Sequence, residues 1–244
     1  MRVEEKISDY FGYECRDFVL DGYECKLVLP KNPDPLGRWI IKTEYFEHFP
    51  AFQLEMLSRG YHLAFVNNKT RWMVPEDVDA KNRLAEYLVS EYGLNEKCVP
   101  VGISCGGLHA VYFAAKYPER IAALYIDAPV MNLLSCPAAI GRKPAINISE
   151  LEKATGLTLK DLLNYRNHPI DKKEILLENK IPIIMVYGDS DPVVPYDENG
   201  QYLEDFYRAN GGEIVTICKP GCGHHPHGLE EQAPLVEFVE KHYK

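Results

Sequence analysis

Apolar residues along the chain gather into short runs separated by amphipathic stretches. From Arg38 onward "RWIIKT", "YHLAFVNN" and "KCVPVGIS" are runs of strand length, and the last two carry no polar face. Between them "FPAFQLEMLSRG" reads as a helix. So does "PEDVDAKNRLAEYLVSEYG", which sets Val78, Ala85, Leu88, Val89 and Tyr92 on one face, with Pro75 suited to the first turn and Gly93 to the end. Strands without a polar face must be covered on both sides, so the pattern predicts an α/β fold: a mostly parallel sheet with helices on both faces.

The alternation continues after a helix that follows Ser104. It runs through "IAALYIDAP", breaks, and resumes with "IPIIMVYGDSD", a helix through "NGQYLEDFYRANGG", a strand "EIVTICKP" and a last helix from about Glu230 to Tyr243. The break, residues 130–180, holds two helix-like pieces starting near Ser149 and Thr158. An insertion there in an open sheet lies over the strand ends, so a small helical cap over a site is expected; a structural decoration is the alternative. Ahead of Arg38, "GYECRDFVLDGYECKLVLP" reads as two short antiparallel strands joined by Asp21-Gly22.

At 244 residues the chain is expected to form one domain, 1–244, with the 130–180 insertion inside it. Hydrophobic residues at 46% and charged residues at 26% are ordinary globular values, which sets disordered and fibrous classes aside. A net charge of -9 without a basic cluster argues against a nucleic-acid partner. The charged start and the lack of a long apolar run lead to the expectation of a cytoplasmic protein with no membrane partner. Seven scattered cysteines fit reduced thiols. Apolar edges around the last strand and helix leave room for a homodimer.

The chemistry concentrates in three loops. "GISCG" puts Ser104 between glycines at a strand-to-helix turn, where the central residue is forced into strained geometry and its Oγ is left exposed at the helix head. The N–H of Cys105 then faces the place where an oxyanion would form. A phosphate-cradling or packing turn is the bland alternative. A serine nucleophile needs a base, and the base needs a carboxylate. "VYGDSDPVVPY" offers Asp191, with Asp189 as a rival, and "KPGCGHHPHGL" offers His224, with His225 and His227 beside it. Asp127, at the end of "LYIDAP", is a further rival for the acid. The three histidines also raise the question of a metal, but adjacent histidines in an extended loop tend to diverge, so no metal is expected.

These motifs, in the order serine, aspartate, histidine, resemble the α/β-hydrolase superfamily from about Gly22 to Lys244. "GISCGG", "GDSDPVVP" and "GCGHHPHGL" look most like its bacterial serine esterases, including carbohydrate acetylesterases, and more distantly the prolyl oligopeptidase branch. The resemblance implies Ser104 as nucleophile, Asp191 as acid and His224 as base. It also implies a second oxyanion donor after the third strand, where "WIIKTEYFEHFP" departs from the common His-Gly signature and leaves the N–H of Glu44 or Thr43. The Glu44 side chain is expected either to meet a substrate hydroxyl or cation or to shape its loop. Tyr45 and Trp72 are expected either to stack on a sugar or aryl ring or to lie in the core.

The expected function is a serine hydrolase that cleaves a carboxylic ester, a short acyl group on a polar small-molecule alcohol such as a sugar, with no cofactor. A serine peptidase of prolyl oligopeptidase type stands second, because that branch usually carries a large propeller domain ahead of the hydrolase domain. A hydrolase-fold binding protein without activity stands third.

Overall fold

Pairing begins at the N-terminus with three antiparallel strands. Glu5–Tyr10 (β1), Tyr13–Leu20 (β2) and Tyr23–Val28 (β3) are joined by Phe11-Gly12 and Asp21-Gly22. All four turn residues have positive φ, 50° and 83° in the first turn and 50° and 82° in the second, the turn geometry whose twist matches that of the strands. The β2–β3 hairpin is the one expected from Asp21-Gly22. β1 is an addition, an edge strand whose charged sequence "EKISDY" gives no apolar alternation to read.

The computed structural model describes residues 3–140 and 148–244. After β3 come Trp39–Lys42 (β4), the helix Ala51–Ser58 (α1), His62–Val66 (β5) and the helix Pro75–Tyr92 (α2). Val99–Ile103 (β6) leads into Cys105–Lys116 (α3), and Leu124–Asp127 (β7) follows. Ile148–Thr155 (α4) and Leu159–Asn164 (α5) are short helices within the expected insertion, which also holds the next helix, and Thr158 and Asp161 form a reciprocal cap at the start of α5. The insertion's residues 141–147 lie outside the described residues. The chain ends with Lys173–Glu178 (α6), Ile183–Gly188 (β8), Gly200–Ala209 (α7), Ile214–Lys219 (β9) and Ala233–His242 (α8).

The nine strands among the described residues form one sheet in the order β1-β2-β3-β5-β4-β6-β7-β8-β9. β3 pairs antiparallel with β5, and every pairing from β5 to β9 is parallel. This is the α/β-hydrolase arrangement, mostly parallel with helices on both faces. Connections leave β4 and β6 in opposite directions, so a crevice opens beyond their carboxyl ends, where ligands bind in open α/β sheets.

Two apolar layers fill the faces. Phe52, Met56 and Leu57 from α1 pack with Leu235, Val236 and Val239 from α8 on one side. On the other, Leu84, Ala85 and Leu88 from α2 join Leu108 and Val111 from α3 and Leu203 and Tyr207 from α7. β5 and β6 are buried along their whole length, as strands lacking a polar face require. Among the described residues no helix is long and apolar enough to cross a membrane.

The ends of β8 and β9 approach unusually closely. A Cβ on Gly188 would stand 2.3 Å from the Cys222 carbonyl oxygen and 2.6 Å from that of Gly223, backbone atoms that cannot rotate away. Gly188→Ala is therefore expected to cost about 1–3 kcal/mol of stability, in the range of overpacked substitutions. A thermal melt checks this, and an unchanged midpoint would show that the contact yields without cost.

Candidate active site

Ser104 sits between β6 and α3 with φ 52° and ψ -119°, a strained conformation that turns the chain sharply and leaves the side chain at the head of the helix. Neighbouring backbone holds it there. Its N–H donates to the Asp127 carbonyl at 2.9 Å, and its carbonyl accepts from Gly107 N–H at 2.9 Å and Val130 N–H at 3.1 Å. The turn needs a glycine two residues earlier, since a Cβ on Gly102 would lie 2.5 Å from the Gly106 carbonyl oxygen.

Three side chains from separate loops meet at this turn. Ser104 Oγ is 3.0 Å from His224 Nε2, and His224 Nδ1 is 2.7 Å from Asp191 Oδ2. The other carboxylate oxygen, Oδ1, accepts from Val193 N–H at 2.8 Å and Val194 N–H at 2.9 Å. Burial acts to raise the Asp191 carboxyl, but the hydrogen bonds from His224, Val194 and Val193 outweigh it and hold the group below its ordinary value. Asp191 is thus an ionised acceptor. It fixes the proton on Nδ1 and leaves the Nε2 lone pair facing the serine hydroxyl.

The rival carboxylates take other partners. Asp189 Oδ1 accepts from Gly221 N–H at 2.7 Å and so shapes the start of the histidine loop. Asp127 pairs with His227 rather than His224: Nδ1 lies 2.8 Å from Oδ1, and Gly228 N–H donates to Oδ2 at 2.6 Å. The expectation that successive histidines in this loop diverge does not describe the structure. The rings of His224, His225 and His227 face one another, and each offers a nitrogen within 4.8 Å of the others. Burial pushes the His227 imidazole down, against the pull of Asp127, and lowers His225 as well, with His224 adding to the effect.

Of the two oxyanion donors suggested after β4, Thr43 is spent. Its N–H donates to the Val101 carbonyl at 3.1 Å as part of the sheet, and its hydroxyl bonds Gly106 O at 2.7 Å. Glu44 N lies 3.5 Å from where a Cβ on Gly106 would be, bordering the first turn of α3. Cys105 N–H, first in that helix, has no carbonyl four residues back to bond. The Cys105 thiol is packed into the core and pushed up to about 11 by burial, so it stays protonated. The Glu44 carboxylate turns toward a polar cluster, accepting from Asn68 Nδ2 at 2.5 Å and lying 3.9 Å from His109 Nε2.

A cavity of about 360 Å³ opens over Ser104, lined by Tyr45, His48, Phe49, Arg71, Ile103, Val193 and the three histidines. Tyr45 is placed where a ring could meet a ligand. Trp72 is not: it is 2% exposed within the core, and Arg71 beside it lines the cavity instead. An amphipathic arginine next to a tryptophan gives no sequence signal for which of the two faces out. Phe49 also escapes a sequence reading, since its position depends on a left-handed turn with φ 53°. A separate cavity of about 260 Å³, lined by Met73, Val78, Tyr112 and Ile175 among others, shares no residue with Ser104, Asp191 or His224.

Known proteins share this fold. A puromycin hydrolase structure superposes on 98% of this chain with a TM-score of 0.72 at 20% identity. An acylaminoacyl peptidase from Pyrococcus horikoshii covers 87% with a TM-score of 0.61 at 17% identity, and a puromycin-hydrolyzing peptidase from Mycobacterium tuberculosis covers 98% at 0.67 and 15%. At these identities the likeness concerns the fold, and this chain spans only 37–38% of the length of those proteins. No curated protein matches the sequence. The profile of the prolyl oligopeptidase family matches residues 51–244, a stretch that contains Ser104, Asp191 and His224, and the chain belongs to that family of serine hydrolases.

Proposed function

We propose that the chain is a serine peptidase that cleaves aminoacyl or short peptidyl amides through Ser104, His224 and Asp191. The observation that carries this reading is the continuous hydrogen-bonded line from Ser104 Oγ through His224 to Asp191, at 3.0 and 2.7 Å, in a chain of the prolyl oligopeptidase family. Family membership reverses the order expected from sequence. The short-chain sugar ester falls behind the peptidase, and since the chain spans only 37–38% of each neighbour's length, the propeller domain usual in that branch no longer counts against a peptidase.

In this mechanism His224 Nε2 accepts the hydroxyl proton as Ser104 Oγ attacks the acyl carbon. The N–H groups of Cys105 and Glu44 hold the resulting oxyanion, aided by the positive end of α3. Asp191 stabilises the imidazolium without taking its proton. His224 then protonates the leaving amine, and water repeats the cycle on the acyl-enzyme. Tyr45, Phe49 and Val193 supply an apolar wall for an amino-acid side chain. The same reading makes residues 130–180 a cap. Its support is Glu150 in α4, whose Oε1 accepts from Arg71 Nε at 2.7 Å and so ties the insertion to the cavity wall.

Two measurements test the reading. With aminoacyl p-nitroanilides, Ser104→Ala is expected to lower kcat by about a million-fold and Asp191→Asn by about ten-thousand-fold, the latter by allowing the wrong tautomer. A Ser104→Ala protein that kept a tenth of the parent rate would remove the serine from the mechanism. Across substrates, the parent is expected to turn over aminoacyl anilides. Hydrolysis of p-nitrophenyl acetate and butyrate with no cleavage of any anilide would instead return the chain to the esterases.

A further inference from the structure

We propose that His224, His225 and His227 form a Zn²⁺ site, and that zinc bound there takes the His224 lone pair away from Ser104 and switches the hydrolase off. The inhibitory half rests on the catalytic reading of His224. The binding half does not.

The three imidazoles are already grouped as a metal would need them. Ring centroids are 5.0 Å apart for His224 and His225, 4.8 Å for His224 and His227, and 4.9 Å for His225 and His227. Their planes cross at 67°, 83° and 86°, so the rings meet edge to face and do not stack on one another. Three imidazole nitrogens at about 2.05 Å from a tetrahedral zinc lie about 3.3 Å from one another. Here one nitrogen of each ring lies within 4.8 Å of the others, so closure needs movement of about 1.5 Å.

What surrounds the rings also suits a metal. His224 Nδ1 is held by Asp191 and His227 Nδ1 by Asp127, through carboxylates whose side chains are 1% exposed. A buried carboxylate on one ring nitrogen is the outer-shell arrangement that fixes the other nitrogen as a ligand and raises its basicity. Two of the three histidines have it. The third, His225, is exposed, and its ring lies parallel to Phe49 at 5.6 Å, while Phe49 meets His227 edge-on at 5.0 Å. His225 is thus the member of the three that solvent, and an arriving ion, reaches first. The cavity of about 360 Å³ beside the rings has room for water in the fourth position.

Binding needs no oxidant or reductant. The His224 Nε2 lone pair passes from the serine hydroxyl to the metal, Ser104 keeps its proton, and nucleophilic attack stops. A purely structural role accounts for His227 on Asp127, yet it does not require a third, exposed imidazole with a nitrogen within 4.8 Å of the other two.

The test is titration of ZnCl₂ into chelator-treated protein, followed by calorimetry and, in parallel, by anilide hydrolysis, with each variant referred to its own zinc-free rate. The parent is expected to bind one zinc and lose turnover in proportion, with recovery on adding EDTA. His225→Ala and His225→Gln, both at an exposed position, are expected to weaken zinc binding and inhibition at least about ten-fold. Ser104→Ala should bind zinc as the parent does. Cys218 and Cys222, the two thiols that are not fully buried, remain in all of these variants, so zinc held by thiols would persist unchanged in them. No stoichiometric zinc in the parent, equal binding in both His225 variants, or bound zinc without loss of turnover would each overturn the proposal. Because calorimetry does not depend on turnover, failure of the peptidase reading would leave the binding result standing.

Discussion

Two carboxylates with almost no access to water, Asp127 and Asp191, each require a partner, and both find it on the same loop. His227 bonds the first at 2.8 Å and His224 the second at 2.7 Å. Removing one member of such a buried pair typically costs about 3–5 kcal/mol, because the remaining charge is stranded. The loop that carries His224 is therefore pinned at two points three residues apart. Asp189 adds a third attachment at Gly221. Since β7 and β8 are neighbouring parallel strands, their carboxyl ends present all three aspartates to one side of the sheet. Lys42, buried on β4, also feels the Asp127 carboxylate. Burial pushes that ammonium down to about 7, and Asp127 opposes the fall.

From this anchoring the rest of the site follows. A loop fixed at both ends can hold His224 Nε2 at 3.0 Å from a serine whose own position is set by a strained turn. The strain, of the order of 1–3 kcal/mol, is sustained by the hydrogen bonds of Ser104 to β7 and to the segment after it. Gly188 allows the histidine loop to lie directly against the end of β8. Preorganisation of this kind lowers the cost of reaching the transition state, because the dipoles need not reorient when charge develops.

Much of this could be read from sequence where the cause is local. Apolar runs without a polar face gave the parallel strands, Asp21-Gly22 gave a hairpin turn with positive φ at both residues, and the glycines around Ser104 marked the sharp turn. Contacts that join distant residues were out of reach. Nothing within "LYIDAP" or "HHPHG" tells that Asp127 meets His227, a hundred residues away, and not His224. The use of the Thr43 N–H in the sheet depends on how β4 registers with β6, which no local pattern specifies. That Trp72 takes the core alternative while Arg71 lines the cavity is decided by packing from α2 and α3, which no local pattern specifies. β1 went unread because an edge strand facing solvent needs little apolar sequence.

The central claim is that Ser104 is a nucleophile activated by His224. A fluorophosphonate probe followed by peptide mapping tests it without choosing a substrate, since the probe forms a phosphoester only with an activated hydroxyl. A single adduct is expected on the peptide containing Ser104, formed rapidly in the parent and lost in His224→Ala. An unlabelled parent, or an adduct that forms equally well in the His224→Ala protein, would contradict it.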